Sequence, residues 1–369
     1  MIIGVPKEIK NHEYRVGLTP KSVELLIKSN HTVIVENQAG IGSGFTNDHY
    51  LSAGAKIEET AINIFNDSDL IIKVKEPQIE EISLIKKDQI IFTYLHLASS
   101  EILTKQLINS KCISIAYETI SDEANGLPLL TPMSEIAGRL SVQAGAQCLE
   151  KHSGGLGILL GGSSYSKPAE TLVIGGGVVG YNASLIATGM GSNLTILEKS
   201  KSKIEYLKNK FPKAVVLNFD DIKIQDLLVN ADLVIGAVLI PGTLAPKVIT
   251  AKDLKIMQSG SVIVDVSIDQ GGCFETSHAT THQDPTYVID NVIHYCVANM
   301  PGAVPRTSTI SLNTATINYI LQLADMGAEK FCKIDHHHLS GLNTYKGHLT
   351  YKPVADIFNI KYTDPNSII

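Results

Sequence analysis

Short apolar runs alternate with helix-compatible segments along the chain, and they fall into two successive series. The first series predicts strands at Ile2 to Val5, Thr32 to Val35, Leu70 to Val74, Gln89 to Tyr94 and Ile113 to Ala116. Apolar residues at helical spacing lie between these runs, as after Thr19-Pro20, where threonine can cap a helix and proline suits its first position. Strands that alternate with helices are typical of a parallel sheet, so the series predicts one α/β unit.

The second series follows a glycine-rich stretch and predicts strands at Thr171 to Ile174, Leu194 to Leu197, Ala214 to Leu217, Leu233 to Gly236, Ser261 to Val266, Thr286 to Ile289 and Tyr295 to Ala298. Two long helical patterns flank it: one opens at Thr131-Pro132, and the other covers Ser308 to Met326. The second pattern would return the chain to the first unit. The prediction is therefore an α/β protein with two doubly wound, Rossmann-like domains and a cleft between their sheets. A dinucleotide domain of residues 131–304 is inserted into a discontinuous substrate domain of residues 1–130 and 305–369.

A glycine-rich turn joins the first strand of the second series to a helical pattern. Gly175, Gly177 and Gly180 form a Gly-x-Gly-x-x-Gly motif, and Glu198 ends the next predicted strand. In a dinucleotide-binding unit the glycines allow a tight turn, close approach of the pyrophosphate and close helix packing, and the acid accepts hydrogen bonds from a ribose 2′-hydroxyl. This pattern favours NAD over NADP. The lysines that follow Glu198 leave NADP as the alternative.

Composition narrows the class of ligand. The 369 residues carry a net charge of -6, and the basic residues are scattered rather than gathered on one segment, which argues against nucleic acid. The five cysteines contain no C-x-x-C pair, so we expect reduced, buried thiols rather than disulfides or zinc. No apolar run is long enough for a membrane helix, and the first residues are typical of a strand rather than a signal peptide. A soluble, cytoplasmic protein that acts on small molecules is predicted.

Four charged residues follow predicted strands, where ligands bind in open α/β sheets. Arg15 follows the first strand, Lys75 and His96 follow the third and fourth, and Asp269 follows the strand that ends near Val266. A guanidinium can hold a carboxylate, a lysine can stabilise a carbonyl oxygen, and a histidine can transfer protons near neutral pH. Together they suit a small 2-oxo acid and its reduced partner. Each residue also has a structural alternative, such as a surface ion pair, a core histidine or a turn-forming aspartate.

With these residues in place, the chain resembles the NAD-dependent alanine dehydrogenases, within the family that also contains the transhydrogenase α-subunits. The resemblance runs over nearly the full length and rests on an ordered set of segments: Gly4 to Glu8, Arg15 to Pro20, Lys73 to Pro77, Leu95 to Leu97, Ile115 to Thr119, Pro132 to Glu135, Gly236 to Leu239, Ile268 to Gly272 and Tyr295 to Pro301. It implies an oxidoreductase of L-alanine catabolism that converts L-alanine, NAD and water into pyruvate, ammonium and NADH. It also implies a homohexamer.

The resemblance further implies roles for individual residues. Arg15 and Lys75 would bind the substrate, and His96 and Asp269 would act as acid/base residues. Contacts to NAD would come from Ser134, Gly175, Gly177, Val178, Val179, Gly180, Glu198, Lys203, Val238, Leu239, Val266, Ser267, Ile268, Asp269, Val297, Ala298, Asn299 and Met300.

The chain departs from the family pattern at several positions. Asp220 stands where serine is frequent, and His278 stands where an arginine can reach the cofactor. Gln322 and Met326 occupy the positions at which some relatives bind magnesium, so no metal is predicted there. The competing hypotheses are a transhydrogenase-like NAD-binding subunit and a nucleotide-binding regulator without turnover. The intact set of Arg15, Lys75 and His96 argues against both.

Overall fold

The computed structural model describes residues 1–124, 126–238 and 245–369. Within it the chain forms two compact units. Unit 1 comprises Met1–Met133 and Val304–Ile369, and unit 2 comprises Ser134–Ala303. The two predicted long helices occur where the chain passes between the units.

The strands of the described residues, in chain order, are β1 (Ile2–Val5), β2 (Thr32–Glu36), β3 (Lys56–Glu58), β4 (Leu70–Ile72), β5 (Ile90–Thr93), β6 (Ile113–Ala116), β7 (Glu170–Ile174), β8 (Asn193–Glu198), β9 (Val215–Asn218), β10 (Leu233–Gly236), β11 (Val262–Asp265), β12 (Thr286–Ile289), β13 (Val292–Tyr295), β14 (Leu342–Tyr345) and β15 (His348–Leu349). The α-helices are α1 (Pro20–Lys28), α2 (Asn47–Ser52), α3 (Ala61–Asp67), α4 (Ile79–Ile82), α5 (Glu101–Ser110), α6 (Thr131–Cys148), α7 (Val178–Gly189), α8 (Lys201–Lys210), α9 (Ile224–Leu228), α10 (Ala251–Leu254), α11 (Pro305–Cys332), α12 (His336–Leu339) and α13 (Lys352–Phe358). Gly327 interrupts α11 with non-helical dihedral angles.

Unit 1 is built on a sheet in the order β15-β14-β6-β5-β4-β1-β2-β3. Strands β1 to β6 are parallel, while β14 pairs antiparallel with β6 and with β15. From β1 the chain extends the sheet in one direction through β2 and β3, and from β4 it extends the other way through β5 and β6. The order therefore reverses between β1 and β4, the position at which doubly wound sheets bind ligands.

Unit 2 is built on a sheet in the order β12-β13-β11-β10-β7-β8-β9, and its order reverses between β7 and β10. All its strand pairs are parallel except the β12–β13 hairpin. Strands β10 and β11 are buried throughout, as expected for central strands with helices on both faces. The predicted fold of two Rossmann-like sheets is thus confirmed.

Two groups of strand predictions need correction. The last strand of unit 2 was predicted at Tyr295 to Ala298, but β13 covers Val292–Tyr295 and shares only one residue with it. Asp290 and Asn291 both have positive φ and form the tight turn of the β12–β13 hairpin, which fixes β13 earlier in the chain. Strands β3, β14 and β15 were not predicted, because they are short strands at or next to the edges of the sheet and lack a continuous apolar run.

The helix and cysteine predictions agree with the structure. Thr19 caps α1 by accepting a hydrogen bond from the Ser22 N–H at 3.2 Å, and Pro20 is its first residue. All five cysteines are free and buried, as expected. Within the described ranges, no helix combines the length and the apolar character that crossing a membrane requires.

Candidate active site

The carboxyl ends of four adjacent strands in unit 1 carry the candidate substrate residues. Arg15 lies in the loop after β1, Lys75 follows β4, and His96 follows β5. Glu118, in a short 3-10 turn after β6, completes the row. Because these strands are parallel and neighbours in the sheet, the four residues lie along one edge.

The Arg15 guanidinium is buried and already paired inside the protein. Its Nε and Nη2 donate to the two carboxylate oxygens of Glu13 at 2.7 and 2.5 Å, and its Nη1 donates to the Met133 sulfur at 3.0 Å. Burial alone would lower the pKa of Arg15, but the Glu13 carboxylate outweighs it and raises that pKa. Glu13 therefore keeps the guanidinium charged and fixes its plane.

Lys75 follows a segment that a buried charge network holds in place. One carboxylate oxygen of Glu8 accepts the N–H groups of Val74 at 2.7 Å and of Lys75 at 3.4 Å. The fully buried Lys73 ammonium lies 3.1 Å from the other Glu8 oxygen and 2.6 Å from Glu81. Burial raises the pKa of Glu8, and Lys73 opposes that rise. The network fixes the end of β4, from which Lys75 projects.

His96 adopts the left-handed conformation, with φ 47° and ψ 39°. Its N–H donates to Glu118 at 2.7 Å, and its carbonyl accepts from the Ser99 hydroxyl at 2.7 Å. The imidazole stacks on the Tyr94 ring, with centroids 5.8 Å apart and planes 17° from parallel. Left-handed backbone at a residue other than glycine is uncommon and concentrates at functional positions.

Charge interactions connect these residues. Burial raises the pKa of Glu76, yet electrostatic interactions with Lys75, Lys10 and His96 together bring it below its ordinary value. Lys10 and Glu76 form an ion pair at 2.5 Å. The edge of the unit 1 sheet thus holds several cationic groups close to one carboxylate, an environment suited to an anionic substrate.

The edge of unit 2 is formed by backbone rather than by charged side chains. Gly175 follows β7 with φ 99°, and a Cβ atom there would lie 2.5 Å from the Ala237 carbonyl oxygen at the point where the strand order reverses. A Cβ atom at Gly180 would overlap the carbonyl oxygen of Gly175. Gly177, by contrast, caps α7 and has nothing within 4 Å of its Cβ position. The exposed N-terminus of α7 and this open space fit the pyrophosphate of a dinucleotide.

Glu198 ends β8 beside this turn. Its carboxylate accepts the N–H groups of Gly176 at 2.8 Å, Lys199 at 2.8 Å and Ser200 at 2.9 Å. Nearby, the Lys199 ammonium lies 3.1 Å from the carboxylate of Asp220. The arrangement presents negative charge at the position expected for the adenosine ribose.

The remaining predicted cofactor residues of unit 2 follow its strands, except Ser134, which lies partly buried in α6, and Lys203, which is exposed in the first turn of α8. Val178 and Val179 begin α7. Val238 follows β10, and its carbonyl accepts the Ser267 hydroxyl at 2.7 Å. A 3-10 turn after β11 holds Val266, Ser267, Ile268 and Asp269, and the segment after β13 holds Val297, Ala298, Asn299 and Met300. Leu239 lies outside the described residues.

Hydrogen bonds to the Asp265 carboxylate stabilise the 3-10 turn that carries Asp269. Burial raises the pKa of Asp265, and hydrogen-bond donors around it oppose the rise. Its carboxylate accepts the N–H groups of Ser267 at 3.0 Å, Cys273 at 2.8 Å and Phe274 at 3.3 Å. Asp269 itself is exposed.

Gln322, one of the two positions at which some relatives bind magnesium, lies in α11 and forms a hydrogen bond of 3.3 Å with His338. Across the described ranges no group of three or more His, Cys, Asp and Glu side chains is placed to hold a metal ion.

Sequence reasoning missed a set of supporting carboxylates: Glu8, Glu13, Glu118 and Asp265. Each accepts at least two N–H groups of a segment that carries a candidate residue. A weak signal was available, because Glu8 and Glu118 both follow predicted strands within three residues. Glu8 and Glu118 follow neighbouring strands and are distant in sequence from the N–H groups that they accept, whereas Glu13 and Asp265 each accept an N–H group two residues away.

Comparison with known proteins gives matches along the whole chain. The family described as "Alanine dehydrogenase/PNT, N-terminal domain" matches residues 4–137, and "Alanine dehydrogenase/PNT, C-terminal domain" matches residues 141–352. Among curated relatives, an "Alanine dehydrogenase" of Halomonas elongata is 51% identical over 370 residues and covers 100% of both chains. One of Methanococcus maripaludis is 50% identical over 365 residues and covers 98% of each.

Solved structures extend the comparison. An "L-alanine dehydrogenase" superposes with a TM-score of 0.93 at 46% identity, covering 97% of this chain and 99% of that one. A transhydrogenase from Sinorhizobium meliloti superposes with a TM-score of 0.82 at 21% identity, covering 95% and 100%. The second likeness shows the shared fold alone.

Proposed function

The chain belongs to the alanine dehydrogenase/PNT family, and we infer from this membership that it catalyses the reversible oxidative deamination of L-alanine with NAD. The observation that carries this function is identity of about half of all residues over the full length to relatives named alanine dehydrogenase. L-alanine, NAD and water give pyruvate, ammonium and NADH.

The row of charged residues in unit 1 supports a role in substrate binding. We assign Arg15 to the substrate carboxylate, because a guanidinium can hold a carboxylate through two parallel hydrogen bonds. Glu13 pairs with one edge of that guanidinium and fixes the plane in which it meets a carboxylate. Lys75 then stabilises the negative charge that develops on oxygen between the amine and ketone states.

The proposed reaction requires proton transfer at two stages. Bound NAD would supply the hydride acceptor for the substrate Cα–H, so that the substrate amine becomes an iminium group. His96 removes a proton from the water that attacks the iminium carbon and then returns it to the nitrogen of the resulting carbinolamine. The C–N bond breaks to release ammonia, and the hydroxyl proton passes to His96 as the carbonyl of pyruvate forms. Asp269 serves as the second acid/base residue. Its exposure allows exchange of protons with solvent.

The glycine turn and Glu198 support the assignment of NAD to unit 2. The open space at Gly177 admits the pyrophosphate, and Glu198 would accept the ribose 2′-hydroxyl and repel a 2′-phosphate. The other predicted cofactor residues remain predictions, as do a cytoplasmic location and a homohexameric assembly.

The test is NADH formation by the purified protein with NAD and L-alanine at alkaline pH, with glycine, L-serine, L-lactate and NADP as parallel controls. We expect turnover with L-alanine and NAD and little with L-lactate or NADP. Absence of turnover while NADH still binds would favour the transhydrogenase-like subunit or the regulator without turnover.

A further inference from the structure

The backbone at His96 departs from the extended conformation of β5 and is held at both sides. His96 lies in the left-handed region, which is sterically unfavourable for a residue with a side chain. On one side, the Ser99 hydroxyl and N–H both donate to the His96 carbonyl, at 2.7 and 3.0 Å. On the other side, the His96 N–H donates to Glu118. The direction of the imidazole depends on this turn, because the backbone sets where the side chain begins.

Glu118 holds two successive N–H groups of the turn. Its two carboxylate oxygens lie 3.1 and 3.2 Å from the Leu95 nitrogen, and one of them lies 2.7 Å from the His96 nitrogen. Hydrogen bonds to an ionised acceptor are shorter and roughly twice as strong as neutral ones. Across the described part of the chain, the ion pairs of lysine and arginine side chains involve carboxylates other than Glu118. The Glu118 carboxylate therefore accepts its hydrogen bonds from the turn that carries His96.

Strand pairing holds the backbone next to Glu118 in place. Strand β6 pairs with β5 up to Thr93 and Ala116, and Glu118 follows directly in a short 3-10 turn. Glu8 has the same relation to β4: it follows the neighbouring strand β1 and holds the N–H groups of Val74 and Lys75. Glu8 differs because it also neutralises Lys73. Of the two carboxylates, Glu118 is thus the one that accepts hydrogen bonds from backbone N–H groups without also neutralising a lysine.

We propose that Glu118 is a positioning residue, which fixes the left-handed turn of His96 and thereby aims the imidazole for proton transfer. This inference rests on the proposed alanine dehydrogenase activity. Misplacement of a catalytic group by about 1 Å can cost on the order of 10²-fold in rate. Loss of Glu118 should therefore lower kcat, while substrate binding through Arg15 and dinucleotide binding in unit 2 persist.

The test compares Glu118→Ala, Glu118→Gln and a matched Glu101→Gln control. Glu101 is exposed in α5, close to His96 in sequence, and pairs only with Lys105 among the recorded ion pairs. We expect kcat to fall by about 10–100-fold in E118A and by less in E118Q, because glutamine keeps one acceptor oxygen. The KM for L-alanine and the Kd for NADH should stay within about threefold in both variants, and E101Q should match the wild type.

Hydrogen exchange gives a second readout on the same proteins. Amides of residues 95 and 96 should exchange faster in E118Q than in the wild type and in E101Q. The proposal would be overturned if folded E118Q had a kcat within twofold of the wild type, or if the substitution changed only KM. If E118A does not fold, the result for E118Q decides. An inactive wild type would refute the proposed function instead, and unchanged exchange in E118Q would then refute the positioning role as well.

Discussion

The carboxyl edges of the two sheets are lined by different chemical groups. In unit 1 the edge consists of charged side chains: Glu13 pairs with the Arg15 guanidinium, and the carboxylates of Glu8 and Glu118 accept the backbone N–H groups of Lys75 and His96. In unit 2 the edge at β7 is a glycine turn, and a Cβ atom at Gly177 would have nothing within 4 Å. The difference matches the two proposed ligands: a small acid needs placed charges and a proton carrier, whereas a pyrophosphate needs backbone that can approach closely.

The largest expected effect comes from removing the proton carrier of unit 1. His96→Ala should lower turnover by about 10³-fold, because it removes the acid/base group, while NADH binding in unit 2 is retained. His96→Asn is the matched variant, since asparagine tolerates left-handed backbone and removes only the imidazole. Turnover is measured as NADH formation and binding as the change in NADH fluorescence. Loss of NADH binding in H96N would contradict the separation of roles between the units.

The charged edge should also be sensitive to its buried support. Lys73→Met leaves the Glu8 and Glu81 carboxylates buried without their cation, which should destabilise the protein by about 3–5 kcal/mol near pH 8. Burial already raises the pKa of Glu8 in the folded state, and losing Lys73 raises it further. When the pKa of a carboxyl group is higher in the folded state than in the unfolded state, its contribution to the free energy of unfolding decreases as the pH rises. The deficit should therefore shrink as pH falls from 8 towards 5.

This prediction is measured by chemical unfolding followed by circular dichroism at both pH values, with the wild type measured in parallel. Lys352→Met is the control, because Lys352 forms an exposed ion pair with Asp356 on α13 and should change stability little. A deficit in K73M that is equal at pH 5 and pH 8 would show that Glu8 does not carry the pH dependence.

The backbone edge of unit 2 predicts a different response to substitution. Gly177→Ala places a methyl group in open space, so the protein should fold normally but bind NADH about 10–100-fold more weakly, because the methyl blocks close approach of the pyrophosphate. Gly180→Ala is the contrasting variant: its Cβ overlaps the Gly175 carbonyl, so it should also lower the melting temperature. Unchanged NADH affinity in a folded G177A would remove the pyrophosphate from this position.

The same contrast explains how much the sequence could predict. The turn of unit 2 is local, and Gly175, Gly177 and Gly180 lie within one short segment whose spacing alone indicates its structure. The support of unit 1 is long-range: Glu118 reaches a turn at His96, and Glu8 reaches Lys75, from strands that are neighbours only in the folded sheet. Periodicity finds the strands and the residues that follow them. It cannot pair carboxylates with backbone N–H groups across the sheet, nor find short antiparallel strands such as β14.

The smallest expected effect concerns the side chain that the unit 2 edge retains. Glu198→Gln removes a negative charge and keeps one acceptor oxygen, which can accept either the Gly176 N–H or the N–H groups of Lys199 and Ser200, so part of the hydrogen bonding of the turn should persist. The variant should bind NADP better because a 2′-phosphate is no longer repelled, and the ratio of kcat/KM for NAD over NADP should fall by about tenfold. Asp220→Asn is the companion variant, since it releases Lys199 from its ion pair and adds available positive charge. If the ratio stays unchanged in E198Q and in the double variant, selectivity lies in another part of unit 2, and Glu198 serves the turn through its backbone hydrogen bonds alone.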